Sequence, residues 1–574
     1  MPQRVYFSPL GSDDAKHISR LQRKLFAPEL CEPEDDIRQI LRNTEEHMLC
    51  NLSFGLFHGK KMVAYVFAYV ESESLFFKRE EEVVYLKEIG VLPGYQRHLK
   101  SVFEKLFSLC TAFVPMMSIE GHALEDILVK WRRHERFFGS LGLTLSAIDE
   151  PPQKGRPPYK LLRFDFSPGA AAIPETPKAL PVSGWSHSAD ITVTVVKNPR
   201  QWLALKEDWA ELLQKTPDHN VFQSFTYLWE WWKYFGFWNE LRIVVIRRRE
   251  EVIGIAPLML EHFPIFGKIV RKLMFISAPM EMSRPKLIFG ENSATCLPAL
   301  LAWLERHRNT WDILDIDEQV QDQNSRSICD WFRQNRYLIA ESSTICPYID
   351  IAGTWEQFLA SRSRRLRSNI SRLRRKIASE GEVEIRRVDS WPQLEKALTL
   401  HCEIEELSWK SGKKLEISSD KSYWFFYRAL AKAFGANNSF EIRALMCGGK
   451  PLASTFGIRQ DNVFQSIKIA HDSAFNSLSP GTILESYELE DLFEAGIERY
   501  EFMGSFLANK LRWTSTVFET TNLHVYQRQP HLVLFFFIYF VFKRKVKAVL
   551  KRTGQFENAD RLLKSLKSNP FPRY

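Results

Sequence analysis

At 574 residues the chain is long enough for three or four domains of roughly 100–200 residues each. Its 45% apolar and 26% charged residues are ordinary globular values, which exclude wholesale disorder, a collagen-like repeat and a disulfide-stapled miniprotein. Lys plus Arg number 78 against 69 Asp plus Glu, a formal charge of +9, which suits an anionic partner such as a cofactor phosphate or a lipid headgroup without demanding nucleic acid.

Met1 to Pro9 hold no apolar core of signal-peptide length, so a cytoplasmic location is expected. The eight cysteines, Cys31, Cys50, Cys110, Cys296, Cys329, Cys346, Cys402 and Cys447, are scattered. No pair has metal-ligand or redox spacing, which predicts free thiols and no metal site. Strands are predicted at Leu56–Phe57, Met62–Val70 and Val83–Val91, followed by a helix over Arg97–Cys110. Pro151–Pro158 (PPQKGRPP) and Ser167–Asp190 (SPGAAAIPETPKALPVSGWSHSAD) are rich in Pro, Gly and small residues. Such stretches break helices and central strands, and the second reads as a linker.

Beyond it, Gln201–Gln214 has helical spacing, and Leu241–Arg247 and Val252–Leu260 read as two strands around the turn Arg248–Glu251. Ile313–Ile316 is a further strand and Thr354–Ser379 a long basic helix. Phe440–Met446, Ala453–Arg459 and Val463–Ile469 read as consecutive strands, and Ile483–Ala495 as a helix. This alternation predicts an α/β (α+β) class. Trp229, Trp231 and Trp232 cannot share one helical face; a pocket lining for some is weighed against core packing, which is the stronger expectation. Arg362, Arg364, Arg365, Arg367, Arg372, Arg374, Arg375 and Lys376 form the largest basic block. It is either a solvated helix face or a surface for an anionic substrate or membrane. Nucleic acid is not expected, because no recognised binding module accompanies it.

The tail opens with eleven consecutive apolar residues, Leu532–Phe542, followed by Lys543, Arg544, Lys545, Lys547, Lys551 and Arg552. About 20 residues are needed to span a bilayer as a helix. The segment is therefore either an interfacial anchor on anionic lipid or a terminal element docked on the body.

Two stretches of the N-terminal region resemble the GNAT acyltransferases: YLKEIGVLPGYQRHLKSVFEKLF, from Tyr85 to Phe107, and RFFGSLGL, from Arg136 to Leu143. In that family the strand, the V-x-P-x-Y-Q turn and the following helix hold the pyrophosphate of coenzyme A on backbone N–H groups. This chain has Leu99 and Ser101 where the family wants glycines, and Phe138 where a proton-donating tyrosine is common. The resemblance therefore implies a degenerate unit. Glu88 and His98 are acid/base candidates there, but they read better as a surface carboxylate and a helix-start histidine.

The body carries FQSFTYLWEWWKYFG (Phe222–Gly236), GIAPLML (Gly254–Leu260), RSNISR (Arg367–Arg372), ELSWKSG (Glu406–Gly412), KIAHDSAFNSLSPGTIL (Lys468–Leu484) and FMGSFLANKLRW (Phe502–Trp513). Taken in order, these resemble the GNAT-superfamily acetyltransferases of cellulose and exopolysaccharide synthesis, the CelD/BcsL type. Those share their architecture with the Fem-type transferases, in which two GNAT-like units stand in tandem. The resemblance implies three GNAT-like units: residues 1–167, then a linker at 168–190, then 191–345 and 346–530, with an apolar-basic tail at 531–574.

Ser479, Pro480, Gly481 and Thr482 open a helix after a strand. Ser caps well and Pro suits the first turn. The exposed N–H donors there would hold the phosphates of acetyl-CoA or another acyl-CoA, used as a co-substrate rather than a permanent cofactor. Asp472, His471 and Glu406 are the candidate bases. Lys468, Trp409, Lys410, Lys510 and Trp513 are the candidate substrate contacts, Lys for a phosphate or carboxylate and Trp for a sugar face. The family's usual tyrosine at the His471 position is absent. The implied activity is N- or O-acyl transfer to a sugar, polysaccharide or envelope precursor, in the cytoplasm, free or peripheral on the inner face of the membrane. The alternatives are a Fem-like aminoacyl transferase using charged tRNA and a non-catalytic scaffold of a polysaccharide-synthesis complex.

Overall fold

The computed structural model describes residues 191–236, 239–277, 284–320, 322–411, 416–419, 421–503 and 510–542 of the body and tail. In the N-terminal region it describes 5–10, 14–25, 31, 33–38, 41, 52–59, 61–74, 79–113, 118–124, 139, 143–149, 159–166, 180–181 and 190. Phe138, nearly all of Arg136–Leu143, Pro151–Pro158 and the basic run from Lys543 lie outside the described residues.

Three sheets organise these residues. A seven-stranded sheet holds the N-terminal unit, an eleven-stranded sheet runs through the body, and a four-stranded sheet flanks it. One motif recurs in all three units. A strand pairs in parallel with the next strand for three residues only, and a helix crosses between them. In the N-terminal unit the pairs are Val84↔Ile119, Tyr85↔Glu120 and Leu86↔Gly121, and the helix is Leu99–Phe113. In the first body unit they are Lys272↔Ile313, Leu273↔Leu314 and Met274↔Asp315, with helix Ser293–Arg306. In the second they are Val463↔Arg499, Phe464↔Tyr500 and Gln465↔Glu501, with helix Pro480–Glu494. Parallel strands need such a crossover because no tight turn can join them.

The final strand, Val517–Tyr526, lies between Ile313–Val320 and Leu338–Asp350, antiparallel to both. Leu338–Asp350 continues past residue 345 and pairs at Tyr348–Asp350 with Arg499–Glu501. The large sheet thus runs unbroken through the body. The N-terminal unit docks on it: helix Leu99–Phe113 packs on Pro199–Leu203 and on Trp232–Gly236, and one apolar cluster runs from Leu106 through Trp202 to Phe426. Burial pulls the Lys105 ammonium of that helix down to about 8, opposed by Glu240 of the body. Leu180–Pro181, within the stretch read as a linker, pairs with Ile191–Val196.

Several elements differ from the sequence reading. Gln201–Gln214 is two helices, Pro199–Leu203 and Lys206–Gln214, because the chain is capped at Ala204 and restarts. The basic stretch is also two helices, Trp355–Ser361 and Arg364–Glu380, each with its own side-chain cap, Thr354 and Ser363. Val252–Leu260 divides at Pro257, where the chain leaves the four-stranded sheet and enters the large one; proline has no N–H to continue a ladder. Trp231 and Trp232 are 1% and 2% exposed, and Trp229 packs against Trp202 and Phe225. These three tryptophans therefore build core.

Candidate functional site

The site is assembled from the second body unit. Strand Val463–His471 continues to His471, while its parallel neighbour Arg499–Glu501 stops at Glu501. The two strands form a fork that is hydrogen-bonded at one end and unpaired at the other. The partner strand on the other side, Lys450–Gln460, has a register shift between Phe456 and Gly457. A Cβ at Gly457 would lie 2.5 Å from the Gln465 carbonyl oxygen, so only glycine allows the backbones to approach this closely. Such an irregularity bends and twists a strand.

The helix rises from the open end of the fork. A 3₁₀ segment, Ser473–Leu478, comes first, and Asp472 caps it: its Oδ1 accepts the Ala474 N–H at 2.8 Å. Ser479 then adopts the left-handed conformation at φ 53°, ψ 53°, and its side chain makes no cap bond. Its carbonyl instead accepts the N–H groups of Thr482 and Ile483. The expected serine side-chain cap is therefore replaced by a sharp backbone turn that aims the helix start. Pro480 sits at the first helical position. A Cβ built on Gly481 would come no nearer than 3.6 Å to His471 Nδ1 and 3.7 Å to Ile469 Cδ1, so the backbone of the first turn is uncrowded. His471 Nε2 lies 3.0 Å from Asn476 Oδ1. The basic helix joins here as well, Lys376 donating to the Ser477 carbonyl at 3.2 Å. Its buried stripe is Leu366, Ile370, Leu373 and Ile377, which leaves Arg364, Arg365, Arg367, Arg372 and Arg375 exposed.

Along the edge of the fork a buried charge cluster ties helix Gln393–Glu406 to the strand. Glu405, fully buried, binds Lys410 Nζ at 2.7 Å and accepts the Ile417 N–H at 2.7 Å. Lys410 also donates to the Ile469 carbonyl at 3.0 Å. Burial alone would raise the Glu405 carboxyl, but Lys410, Lys468 and His401 outweigh it and hold the group below the usual range. His401, also fully buried, is pulled down to about 3 by burial against the pull of Glu405, and its Nδ1 lies 3.1 Å from Ser454 Oγ. Glu405 and His401 were missed in the sequence. The signal was there, since Leu394, Leu398, His401 and Glu405 follow the 4-3-4 spacing of one buried helical face.

The structure thus brings together Lys468, His471, Asp472, Ser479, Pro480, Gly481, Thr482 and Lys410 around the fork. Other candidates it places differently. Glu406 is exposed at the end of its helix, and the buried carboxylate is its neighbour Glu405. Asp472 has one oxygen committed to its cap. Trp513 is 0% exposed; its indole N–H goes to Glu485 and its ring lies in a cluster with Trp355 and Phe493, so it presents no face to a sugar. Lys510 donates to the carbonyl of Met503, itself left-handed at φ 48°, and burial lowers the Lys510 ammonium. Trp409 is 55% exposed, beside Leu407 at 58%. At the paired end of the fork, Arg284 of the first unit binds Glu501 and stacks 4.6 Å over Phe518.

The other two parallel pairs carry engaged charged groups. In the first body unit Lys272 binds Glu261 at 2.6 Å and lies 3.8 Å from Asp315. Asp315 in turn holds His524 at 2.8 Å. In the N-terminal unit Tyr65 and Gln22 both donate to Glu88, so Glu88 is a half-buried, engaged group rather than a free surface carboxylate. His98 stacks on Tyr95 at 6.3 Å, and Leu99 packs on the core. A groove between helices Ser293–Arg306 and Gln323–Gln334 contains none of the groups just described. Among the described residues no cluster of His, Cys, Asp and Glu could hold a metal ion, and Cys296, Cys329, Cys402 and Cys447 are in no disulfide.

Residues 364–510 match the family model described as Acetyltransferase (GNAT) domain. No curated protein sequence matches the chain. Among solved structures the chain is similar to FemX, at 14% identity and a TM-score of 0.42, over 57% of this chain and 98% of that one. It is also similar to L-PGS from Bacillus licheniformis, at 10% identity and 0.37, over 59% and 96%. A third likeness, to a tandem GNAT protein from the clavulanic acid biosynthesis pathway, has 10% identity and 0.37, over 59% and 99%. The matched residues take in the basic helix, the fork and its crossover helix, so over 364–510 this mixed α/β chain is similar to GNAT acetyltransferase domains.

Proposed function

We propose that the second body unit binds acyl-CoA at the open end of its fork and transfers the acyl group to an amine or hydroxyl of a sugar, polysaccharide or envelope precursor, as the CelD/BcsL resemblance implies. The observation that carries this is the uncrowded helix start at Gly481, set at the unpaired end of a splayed parallel pair. Pro480 has no N–H and the Thr482 and Ile483 N–H groups reach the Ser479 carbonyl, so the Gly481 N–H and the positive end of the helix dipole would attract the phosphate. The exposed arginines of helix Arg364–Glu380, tied to the same junction by Lys376, add charge suited to a polyphosphate ligand.

In the reaction the acceptor N or O forms a bond to the thioester carbonyl carbon, the C–S bond breaks, and the thiolate of coenzyme A takes up a proton. A base must remove the acceptor's proton. Of the three candidates, His471 lies closest to the helix start, Asp472 is partly engaged as a cap, and Glu406 stands at an exposed helix end. Lys410 and Lys468 line the strand along which the acceptor would lie, with Trp409 at its rim. In the N-terminal unit, half-buried Leu99 packed against the core and Glu88 engaged by Tyr65 support a non-catalytic role. No observation favours the tRNA-dependent alternative or the scaffold.

Gly481→Val crowds the N–H groups with a branched side chain. It should weaken acetyl-CoA binding in calorimetry by roughly tenfold or more, about 1.4 kcal/mol per tenfold. Unchanged affinity in a folded variant would place the phosphates elsewhere.

A further inference from the structure

We propose that the docked C-terminal helix and the hairpin beside it form a contact surface for an anionic lipid bilayer. The helical segment runs from Pro530 through Phe536 and continues over Phe537–Phe542. Its inner face is fixed to the body. Leu532 and Phe535 are 0% and 5% exposed and pack with Phe263, Val270, Ile313 and Tyr526. Its outer face leaves Leu534, Phe537 and Ile538 at 53%, 51% and 47% exposure. Residues three and four apart share a helical face, so these three side chains form one patch. The hairpin between Leu258–Ile265 and Lys268–Phe275 adds Phe266, 58% exposed, with its ring 6.4 Å from that of Phe535. Phe266 and Gly267 form its turn, with φ of 48° and 77°. Single exposed apolar residues are ordinary, whereas a contiguous group marks a contact surface.

Charge selects the occupant. Between Glu519 and Glu557 the sequence has no acidic residue, and Lys543, Arg544, Lys545, Lys547, Lys551 and Arg552 follow the patch directly. Exposed Lys268 stands in the hairpin itself. A second copy of the chain would bring two such basic runs together, and like charges repel. An anionic bilayer attracts them and receives the apolar side chains at its interface. The helix lies on that surface rather than crossing it: its inner face is occupied, and among the described residues no helix is long and apolar enough to cross a membrane.

The test is sedimentation of the full chain with vesicles, a readout independent of acyl-CoA binding and of activity. Phosphatidylglycerol–phosphatidylcholine vesicles at low salt should pellet the protein, phosphatidylcholine vesicles should not, and high salt should release it. Leu534→Asp, Phe537→Asp and Ile538→Asp together alter only exposed positions and should leave the thermal melt in place while lowering vesicle affinity at least tenfold. Replacing Lys543, Arg544, Lys545 and Lys547 with Gln should lower it by roughly several hundredfold, since each charge near an anionic surface contributes roughly fivefold. The proposal is overturned if the triple variant pellets like the unaltered chain, if neutral and anionic vesicles bind equally, or if the patch mediates a dimer that the triple variant abolishes.

Discussion

The N-terminal fork and the second body fork have the same backbone plan and opposite interiors. Each pairs two parallel strands for three residues and sends a helix across. In the N-terminal unit the helix begins with Leu99, whose half-buried side chain packs against the core, after a 3₁₀ turn at Gln96–His98. In the second body unit it begins with Pro480 and Gly481, where an added Cβ would meet only ordinary contacts, 3.6 Å to His471 and 3.7 Å to Ile469. The N-terminal strand carries Glu88, bound by Tyr65 and Gln22, and the body strand carries Lys468 within reach of the Glu405 field. A scaffold that splays two strands offers a site only where small side chains at the helix start leave the backbone bare.

Substitutions can break or sharpen this contrast. The largest effect is expected from Glu405→Ala. It leaves Lys410 without its buried partner and the Ile417 N–H without its acceptor, and removing one member of a buried pair costs about 3 kcal/mol or more. Denaturant melts of the full chain should show it, with Glu405→Gln intermediate because the amide oxygen still accepts a hydrogen bond. If both variants melt like the unaltered chain, the cluster does not anchor the fork.

Next comes Gly457→Ala. The added Cβ would lie 2.5 Å from the Gln465 carbonyl oxygen and 2.6 Å from the Phe464 ring, and overpacking of this kind costs roughly 1–3 kcal/mol. The same variant should weaken acetyl-CoA binding by shifting the strand that carries the fork, whereas a matched change in the N-terminal unit should leave binding alone.

A third test concerns the engaged charged groups of the first body unit. Burial would lower His524, but Asp315 and Asp317 raise it to about 9 from an ordinary 6.5. A raised histidine contributes stability that is fully present below its unfolded value and is lost as pH climbs through the folded one. The melting-temperature gap between the unaltered chain and His524→Gln should therefore be widest near pH 6 and close between about pH 6.5 and 9. A gap that is constant with pH would show that the ion pair contributes nothing to folding.

The smallest effect should come from Ser479→Gly. A non-glycine residue in the left-handed region costs roughly 1 kcal/mol, so glycine should raise stability slightly. Strain kept at a helix start beside a proposed site points to a positional role, and the variant should lose some acetyl-CoA affinity even as it melts higher.

Much of the fold was legible in the sequence, and the reasons are local. The strands from Phe440 to His471 show apolar runs between turn residues, and the Ser479–Thr482 signature marks a helix start correctly. The interior of the site was less legible. Glu405 and Glu406 are adjacent acids, and only the phase of the helix decides which is buried. Trp513 was read as a sugar platform because tryptophan suits one, but its neighbours Trp355 and Phe493 arrive from distant segments. The join at Pro257 and the caps at Thr354 and Ser363 are single-residue events, which a window of periodicity averages away. In the tail one face is docked on the body, as the second of its two readings expects, and the other is exposed.

The position of strand Val517–Tyr526 has a consequence for how the protein is made. Its partners Ile313–Val320 and Leu338–Asp350 leave the ribosome well before it does, and each then presents an edge with unpaired backbone groups. Domains usually fold as units during synthesis, N-terminal first, but the first body unit cannot close its sheet until nearly the whole chain has emerged. Pairings so distant in sequence are slow to form, and open edges are templates for mispairing with other chains. Newly made chains should therefore depend on chaperones until the last strand arrives, and release of a chain ending before Val517 should yield aggregates rather than a smaller soluble protein.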